Sequence, residues 1–314
     1  MQECDFCGRR AVYYQRTAGV HRCDRCFIEN IEKRFRRTVS KNNLIEPDDR
    51  VIAAVSGGTD SLTNLHLLGK YAEYKDVEIL SLTIDEGIEG YRDESIPIAR
   101  KNSKKLGIEH VVVSFEEVFG KKLDELAKIS QEKNGPDPCT LCGILRRSLL
   151  NQASRELKAD KLATGHNLDD ETQTIILNYV RGDIARLSRL GAKSKGKERF
   201  VPRIKPLREI KEKEIAIYAM LNDLGAHVDN CPYVGGMRSE VREFVNKMEK
   251  NHPTTKFKIL RMFDKLKPHI PVEEEEFDLK NCKICGEPST KKLCRSCELL
   301  KSLEIERKEK TLIS

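Results

Sequence analysis

The chain has 314 residues, of which 34% are charged, and a formal net charge of +7. This length allows one large domain together with small modules. No run of 18 apolar residues occurs and the amino terminus lacks a signal-peptide pattern, so a cytoplasmic protein with no membrane partner is expected. The positive charge indicates either an anionic macromolecular partner or a solvated surface rich in lysine and glutamate.

Eleven cysteines divide into groups of four, three and four along the chain. The first group contains two Cys-x2-Cys pairs, and its members are Cys4, Cys7, Cys23 and Cys26. Two such pairs supply the four thiolates of a closed tetrahedral Zn2+ site. Redox chemistry or spare thiols are the alternative, and paired knuckles in an intracellular chain favour the metal. We therefore predict a zinc module at residues 1–27.

The segment that follows this module is basic. Glu29–Arg37 has a helical pattern, and its cationic side chains are Lys33, Arg34, Arg36 and Arg37. Clustered cations of this kind bind the phosphates of nucleic acids, although a solvated helix face has the same composition. We expect this helix and the first zinc module to contact a nucleic-acid backbone.

A glycine loop joins the first buried strand to a helix. The apolar run Val51–Val55 leads into Ser-Gly-Gly-Thr-Asp-Ser at residues 56–61, and the helical pattern Leu62–Tyr74 follows. The first N–H groups of a helix are unpaired and carry the positive end of the helix dipole, so they bind phosphate well. Glycine lets the backbone approach a ligand closely. An ordinary strand–helix turn is the alternative, and nucleotide binding is the interpretation that the surrounding pattern favours.

Strands and helices alternate through the middle of the chain. The predicted strands are Val51–Val55, Val77–Ile84, His110–Phe115 and Lys161–Thr164. The predicted helices are Leu62–Tyr74, Ser95–Lys105, Lys121–Lys133, Ile144–Leu157 and Glu171–Val180. This alternation predicts an α/β fold with a doubly wound parallel sheet, whose ligands bind beyond the carboxyl ends of the strands. The loops at Ser56, Asp85 and Gly165 leave such ends, so we expect them to converge.

Three acidic residues in succession, Asp169, Asp170 and Glu171, follow the loop that contains Gly165 and His166. Either aspartate can cap the next helix, because a carboxylate accepts hydrogen bonds from its free N–H groups. Three carboxylates exceed what a cap requires, and one of them can act as a general base or hold Mg2+ against ATP. The position of His166 beside a glycine favours the edge of a pocket.

The three central cysteines are Cys139, Cys142 and, far downstream, Cys231. Three thiolates make a poor structural zinc site, which takes four ligands. They suit a [4Fe–4S] cluster with one iron left open. Persulfide chemistry, with one cysteine resolving another by disulfide exchange, is a competing interpretation, and three unconnected thiols are the plainest one. Spacing alone does not separate the cluster from the persulfide.

The last third of the chain is predicted to be helical up to about Lys267, with helices at Lys211–Leu224 and Arg238–Glu249. An acidic linker is predicted at residues 271–281. Two further Cys-x2-Cys pairs predict a second zinc module, and their members are Cys282, Cys285, Cys294 and Cys297. Leu299–Lys310 is predicted to form a charged terminal helix. The predicted domains are 1–27, 28–270, 271–281 and 282–314.

The glycine loop resembles the pyrophosphate loop of the N-type ATP pyrophosphatases. Together with Pro-Cys-x-x-Cys-Gly-x-x-Arg-Arg at residues 138–147, Gly-His-Asn-x-Asp-Asp at residues 165–170 and the Cys-Pro at 231–232, it resembles the TtcA/TtuA family of tRNA thiolases. Zinc pairs at both ends are similar to the TtuA branch and its wobble-uridine relatives. One departure is Thr59, which stands where lysine is common in those relatives.

This resemblance implies an ATP-dependent tRNA 2-thiouridine synthetase. In such enzymes ATP adenylates the C2 oxygen of a uridine, and sulfur then displaces AMP. The resemblance implies Mg2+ at Asp60, a catalytic role for Asp170, and Arg146 in the place of a catalytic lysine. It implies cluster ligation, with sulfur bound at the open iron, by Cys139, Cys142 and Cys231. The implied ATP-binding residues are Ala53, Val55, Ser56, Gly57, Gly58, Thr59, Asp60, Ser61, Ile84, Asp85, Gly165 and His166.

The partners implied by the resemblance are tRNA and a ubiquitin-like carrier protein that ends in a thiocarboxylate, and a homodimer is expected. The T-loop uridine at tRNA position 54 is the expected target, and the wobble uridine at position 34 is the alternative. A second alternative is a non-catalytic RNA-binding protein whose ATP site lapsed with Thr59. Retention of Asp60, Asp170 and the central cysteines favours the enzyme.

Overall fold

The structure is a computed structural model that describes residues 2–194, 199–227, 231–233, 235, 237–271, 279–308 and 311–313. Its strands are β1 Tyr13–Gln15, β2 Val20–Arg22, β3 Arg50–Ala54, β4 Glu78–Asp85, β5 His110–Ser114, β6 Lys161–Ala163, β7 Arg203–Ile204, β8 Lys280–Asn281 and β9 Pro288–Ser289. Its helices are α1 Asp24–Lys41, α2 Thr59–Ala72, α3 Arg92–Lys105, α4 Phe115–Phe119, α5 Leu123–Glu132, α6 Pro138–Glu156, α7 Leu168–Val180, α8 Ile184–Ser188, α9 Glu212–Leu221, α10 Met237–Asn251, α11 Thr255–Leu266 and α12 Arg295–Ser302.

A five-stranded parallel sheet with the order β5-β4-β3-β6-β7 forms the centre of the protein. This confirms the predicted α/β fold with a doubly wound parallel sheet. The chain builds outward from β3 to β4 and β5, then returns to place β6 on the other side of β3. The order therefore reverses between β3 and β6. In such sheets the crevice at the carboxyl ends of the two strands that flank the reversal is where ligands bind.

Helices cover both faces of the sheet because its strands are apolar on both faces. Val51 and Ala53 of β3 face one core, which includes residues of α1, α2 and α9. Ile52 between them faces the other core, which includes residues of α4, α5, α6 and α12. All three side chains are fully buried. The strand thus fixes the direction in which residue 56 and the residues after it leave the sheet.

The predicted elements of the central sheet are present, with shifted ends. The helix predicted at Ile144–Leu157 begins six residues earlier, at Pro138, because Asp137 caps it and proline fits a first helical position. The predicted terminal helix at Leu299–Lys310 is instead α12, which ends at Ser302. The hairpin β1–β2 and the edge strand β7 were missed, since two or three residues are too short to show a periodic pattern.

The two terminal modules share one design. In each, the first cysteine pair is followed by a glycine with positive φ, Gly8 at 73° and Gly286 at 72°. A later cysteine, Cys23 or Cys294, is the N-cap of a helix. Because Cys26 lies inside α1, that helix runs through the predicted boundary at residue 27. Most of the predicted acidic linker, residues 272–278, lies outside the described residues. None of the described helices is long and apolar enough to cross a bilayer.

Candidate nucleotide site and cysteine centres

The loop after β3 is held in shape by its own hydroxyl groups. The backbone N–H of Ser56 donates to the Ser61 Oγ at 3.0 Å, and that hydroxyl donates to the Gly58 carbonyl at 2.9 Å. Helix α2 then begins at Thr59, and its N-cap, Gly58, offers no side-chain acceptor to the first turn. Because these N–H groups have no side-chain cap, the helix start presents donors and positive potential to an anion.

Only glycine can occupy position 57 in this loop conformation. Its φ is +84°, and a Cβ at this position would lie 2.2 Å from the backbone oxygen of Ser95. No other residue fits this approach of the loop to α3. The Gly57 carbonyl in turn accepts a hydrogen bond from the backbone N–H of His227 at 3.0 Å. The loop is therefore pinned from two sides and its shape is fixed before any ligand binds.

A buried ion pair lies behind the loop. Glu86 is fully buried and accepts a hydrogen bond from the Arg92 guanidinium, which also donates to the Ser56 carbonyl at 3.0 Å. A second guanidinium, that of Arg146, reaches the same carboxylate at 3.3 Å. Arg146 is thus an ion-pair partner of Glu86, with its side chain 46% exposed. Sequence reasoning missed Arg92 and Glu86, because a single arginine at a helix start has no distinguishing pattern.

The loop after β6 contacts the start of α2. A Cβ on Gly165 would lie 2.9–3.0 Å from the backbone of Asp60, so a side chain there would push the two loops apart. The Asn167 amide donates to the Asp60 carboxylate at 3.0 Å. Asn167, and neither predicted aspartate, is the N-cap of α7; Asp170 sits at the third position of the same capping box. The predicted convergence of these two loops is confirmed.

Two of the carboxylates here share the crevice. Burial raises the pKa of Asp60 to about 7, and the negative charges of Asp170, Glu212 and Asp169 add to the shift, while the bond from Asn167 opposes it. Asp170 remains partly exposed, with Arg238 3.9 Å from its carboxylate. A buried carboxylate with acidic neighbours and only an amide partner is typical of a position that a divalent cation completes.

Asp169 is a structural carboxylate. It is buried, pairs with the Lys256 ammonium and accepts a hydrogen bond from the backbone of Glu212 at 3.0 Å. Its charge is therefore used to hold α7 against α9 and α11. Of the two aspartates that were candidates on sequence, Asp169 is held by these contacts, whereas Asp170 stays partly exposed near Arg238.

The other predicted ATP-binding residues lie at the strand ends. Ala53, Val55 and Ile84 are buried, so their side chains support the edge of the sheet from within the cores. The carboxylate of Asp85 accepts a hydrogen bond from the backbone of Gly87 at 2.8 Å and shapes the turn after β4. His166 is exposed, as expected for a pocket edge, and its Nδ1 lies 2.8 Å from the Thr164 hydroxyl.

The three central cysteines come to one side of the crevice. Cys139 and Cys142 lie one turn apart at the start of α6. The Cys139 thiol donates to the Tyr233 carbonyl at 2.6 Å, which brings the segment of Cys231 to this helix end. Cys142 and Cys231 contact the same apolar core. Burial raises the pKa of Cys142 to about 12, so the free thiol is neutral and only a bound metal would deprotonate it.

Sulfur spacing separates these cysteines from the terminal groups. Among the described residues, only the two terminal sets of four bring their sulfur atoms within 4.8 Å of one another. Neighbouring sulfurs there are 3.5–3.6 Å apart, as between Cys7 and Cys23 or Cys285 and Cys294. The terminal groups thus form two four-cysteine metal sites that fit a single tetrahedral ion each. Cys139, Cys142 and Cys231 do not form such a set, so a single tetrahedral ion does not fit them as they stand.

The basic stretch of α1 divides into two kinds of side chain. Arg34 pairs with the buried Glu214 at 2.8 Å and donates to the carbonyl of Glu209, so it joins α1 to α9. The predicted phosphate contact is therefore wrong for Arg34, because its guanidinium is already paired with groups of the protein. Arg36 is exposed, with Glu32 3.8 Å away, and the exposed side chains of Lys33 and Arg37 complete the free cationic face.

Comparisons with known proteins place this fold and site in a family. The profile of the PP-loop domain matches residues 28–247. A tRNA 2-thiolation protein, NcsA, of Haloferax volcanii is 37% identical over 96% of this chain and 99% of its own length. The cytoplasmic tRNA 2-thiolation protein 1 of Oryza sativa subsp. japonica is 35% identical over 96% of this chain and 82% of its own.

A solved structure gives the same result. The U34-tRNA thiolase NcsA of Methanococcus maripaludis, determined with its [4Fe–4S] cluster, superposes with a TM-score of 0.84. It is 36% identical, and the alignment covers 100% of this chain and 99% of that one. The name of this solved relative states U34, which is tRNA position 34, and none of these relatives is named for position 54 or for the TtuA branch. The resemblance to the TtuA branch in particular is therefore not supported, whereas the wider tRNA thiolase assignment is.

Proposed function

This chain belongs to the PP-loop family and to its tRNA 2-thiolation proteins, and from that premise we propose that it is an ATP-dependent tRNA sulfurtransferase that makes 2-thiouridine at position 34. The 2-thiolation of tRNA rests on relatives at 35–37% identity, and position 34 rests on the one of them, at 36% identity, whose name states U34. The chemistry rests on the site itself, where a phosphate-binding helix start, two facing carboxylates and three cysteines border one crevice.

One observation carries this proposal. The buried Glu86 carboxylate accepts hydrogen bonds from the guanidiniums of Arg92 and Arg146. Arg92 also donates a hydrogen bond to the Ser56 carbonyl in the phosphate loop. Arg146 lies one turn after Cys142 on α6. The nucleotide loop and the cysteine helix are therefore joined through one carboxylate. An enzyme that activates a base with ATP and then delivers sulfur to the same carbon needs these two centres at a fixed separation.

The first chemical step uses the phosphate loop. The N–H groups at the start of α2 would bind the phosphates of ATP, with the Ser56 and Ser61 hydroxyls completing the cradle. Asp60 would hold Mg2+ against these phosphates. The uridine C2 oxygen attacks the α-phosphorus, and pyrophosphate leaves. Arg146 can stabilise the charge of the adenylated intermediate, although a guanidinium does not serve as a proton donor.

The second step would take place at the cysteine side of the crevice. Cys139, Cys142 and Cys231 are suited to hold a [4Fe–4S] cluster, which when bound supplies an open iron for sulfur. Attack of sulfur on C2 releases AMP and leaves a C2 thiocarbonyl. Asp170, whose carboxylate is partly exposed, would accept a proton in this exchange. The exposed side of Cys139 gives a sulfur donor access to the site.

Further features of the proposal concern metals, partners and organisation. The eight terminal cysteines bind two Zn2+ ions in this proposal, because four thiolates at tetrahedral spacing favour zinc. A ubiquitin-like carrier with a C-terminal thiocarboxylate delivers the sulfur, the protein acts in the cytoplasm, and it forms a homodimer. We propose the same four parts, 1–27, 28–270, 271–281 and 282–314, with α1 continuing across the first boundary. A lapsed ATP site is disfavoured because the helix start at Thr59 is shaped for an anion.

The experiment that tests this function is mass spectrometry of tRNA from a strain lacking the gene. We expect 2-thiouridine derivatives to disappear at position 34 and to remain at every other position. Reintroducing the gene should restore them, and a copy with Asp60→Ala should not. Loss confined to position 54 would overturn the proposed position, and unchanged tRNA thiolation would overturn the proposed function.

The exposed cations of α1 are expected to contact tRNA. Replacing Arg36 and Arg37 with glutamine should lower tRNA affinity and flatten its dependence on salt by about 0.7–0.9 log units per lost phosphate contact. Titrations at several salt concentrations would measure this slope. Arg34→Ala provides the contrast: it breaks a buried ion pair with Glu214 and should instead lower the free energy of unfolding by about 3 kcal/mol. An unchanged slope in the Arg36/Arg37 variant would contradict the contact.

A further inference from the structure

Two arginines from different elements meet beside the cysteine helix, and a third lies near them: burial and the charges of Arg146 and Arg186 lower the pKa of Arg147. Arg147 follows Arg146 on α6, Arg203 begins β7, and Arg186 lies in α8. The Arg203 guanidinium donates to the Arg147 carbonyl at 3.2 Å, which joins β7 to α6 at this point. We call Arg147, Arg186 and Arg203 the arginine row.

Gly143 makes room for this row. The Arg147 guanidinium folds back along α6, so that its Nη1 lies 3.1 Å from where a Cβ on Gly143 would be. Gly143 directly follows Cys142, one of the three central cysteines. The charge of Arg147 is thus held next to the proposed reaction centre.

The row lacks counterions. Within the part of the chain that the structure describes, neither Arg147 nor Arg203 forms an ion pair with a carboxylate, and Arg186 pairs only with Asp183, at 3.2 Å. The neighbouring guanidiniums repel one another: burial and the charge of Arg147 lower the pKa of Arg203 to about 10. A guanidinium keeps its charge in proteins, so placing these groups together costs free energy that a bound anion would recover.

We infer that the arginine row binds phosphodiester groups of the RNA strand that carries the target uridine. This inference rests on the proposed function and adds to it the surface that positions the substrate. Guanidiniums bind phosphate oxygens through paired N–H donors, and three of them match a chain with a negative charge on every unit. A thiocarboxylate tail carries one negative charge and would leave most of the row uncompensated.

The location agrees with this role. Arg146 reaches the Glu86 carboxylate behind the phosphate loop, and the row begins at the next residue of α6. A strand whose phosphates lie along the row can therefore turn its uridine towards the crevice between β3 and β6. The row positions the substrate and has no part in the bond changes.

The test is the salt dependence of tRNA binding by the full-length protein. Arg147→Gln should lower tRNA affinity and reduce the slope of log affinity against log salt by about 0.7–0.9. Arg147→Lys keeps the charge and should keep the slope. Arg100→Gln is the matched control, because Arg100 is an exposed arginine on α3, whose Ala99 packs in the core on the opposite face of the sheet. It should leave the slope unchanged.

The outcomes separate this inference from the proposed function. If the wild-type protein thiolates tRNA and Arg147→Gln binds it with an unchanged slope, the arginine row does not contact phosphate and the inference fails alone. If tRNA binding is unchanged but use of the sulfur-carrier protein is lost, the row belongs to the sulfur donor and the inference is also wrong. Failure of the wild-type protein to thiolate any tRNA would overturn the proposed function instead. Circular dichroism and melting temperature confirm that each variant is folded.

Discussion

Serine at position 139, 142 or 231 is expected to remove iron and 2-thiouridine synthesis together. Each of these cysteines would supply one of only three protein thiolates to the cluster, and serine does not replace a thiolate as an iron ligand. The loss of product should exceed the roughly 10- to 100-fold that removal of an outer-shell partner costs a metal site. Protein purified without oxygen should be brown with about four irons in the wild type, and colourless in each variant.

A matched control comes from the carboxyl-terminal metal site. Replacing Cys282 and Cys285 with serine should lower zinc by about one ion per chain and leave iron unchanged, because these sulfurs belong to a separate four-cysteine group. Iron loss in that variant would contradict the division of the cysteines. An active, iron-free wild-type enzyme that tolerates loss of one central cysteine would establish persulfide chemistry in place of the cluster.

Asp60→Asn is expected to abolish ATP cleavage while stabilising the ligand-free protein. The neutral amide is a weak ligand for Mg2+, so release of pyrophosphate in the presence of tRNA should fall by about 100-fold or more. The opposite effect on stability follows from burial, which raises the pKa of Asp60 to about 7 from an unfolded value near 3.9. Ionised Asp60 is therefore unfavourable in the folded protein.

The raised pKa of Asp60 makes the stability of the wild-type protein depend on pH. Between about pH 4 and pH 7 the folded protein keeps a proton on Asp60 that the unfolded chain releases, so stability falls as pH rises through this range. The Asp60→Asn variant has no ionisable group at this position, so its stability does not fall for this reason. Its melting temperature should exceed that of the wild type at pH 8 by about 2–4 °C, and the difference should shrink towards pH 4. Adding Mg2+ and ATP should reverse the order, because the wild type alone gains binding energy. A lower melting temperature of the variant at pH 8 would refute this account.

The amino-acid sequence determined the features whose signals are contiguous. Strand β3 followed by the glycine loop could be predicted because an apolar run, two glycines and a helical pattern are adjacent. Fixed Cys-x2-Cys spacing predicted both terminal metal sites, since one turn or knuckle presents both sulfurs. Alternation of strands and helices predicted the parallel sheet, because parallel strands need crossover connections. Local spacing therefore predicted the two terminal cysteine sites, whereas the fold had to bring the segment of Cys231 to Cys139.

Only the tertiary structure decided how separate segments act on one another. The contact of Asn167 with Asp60 joins residues more than 100 positions apart, and the shared Glu86 carboxylate joins three elements. Neither arrangement has a periodic signature, because hydrogen bonds between distant residues leave no regular spacing in the sequence. For the same reason the cations of α1 looked equivalent, although Arg34 is paired inside the fold and Arg37 is exposed. Burial and partner choice, which set charge and pKa, are properties of the packed chain.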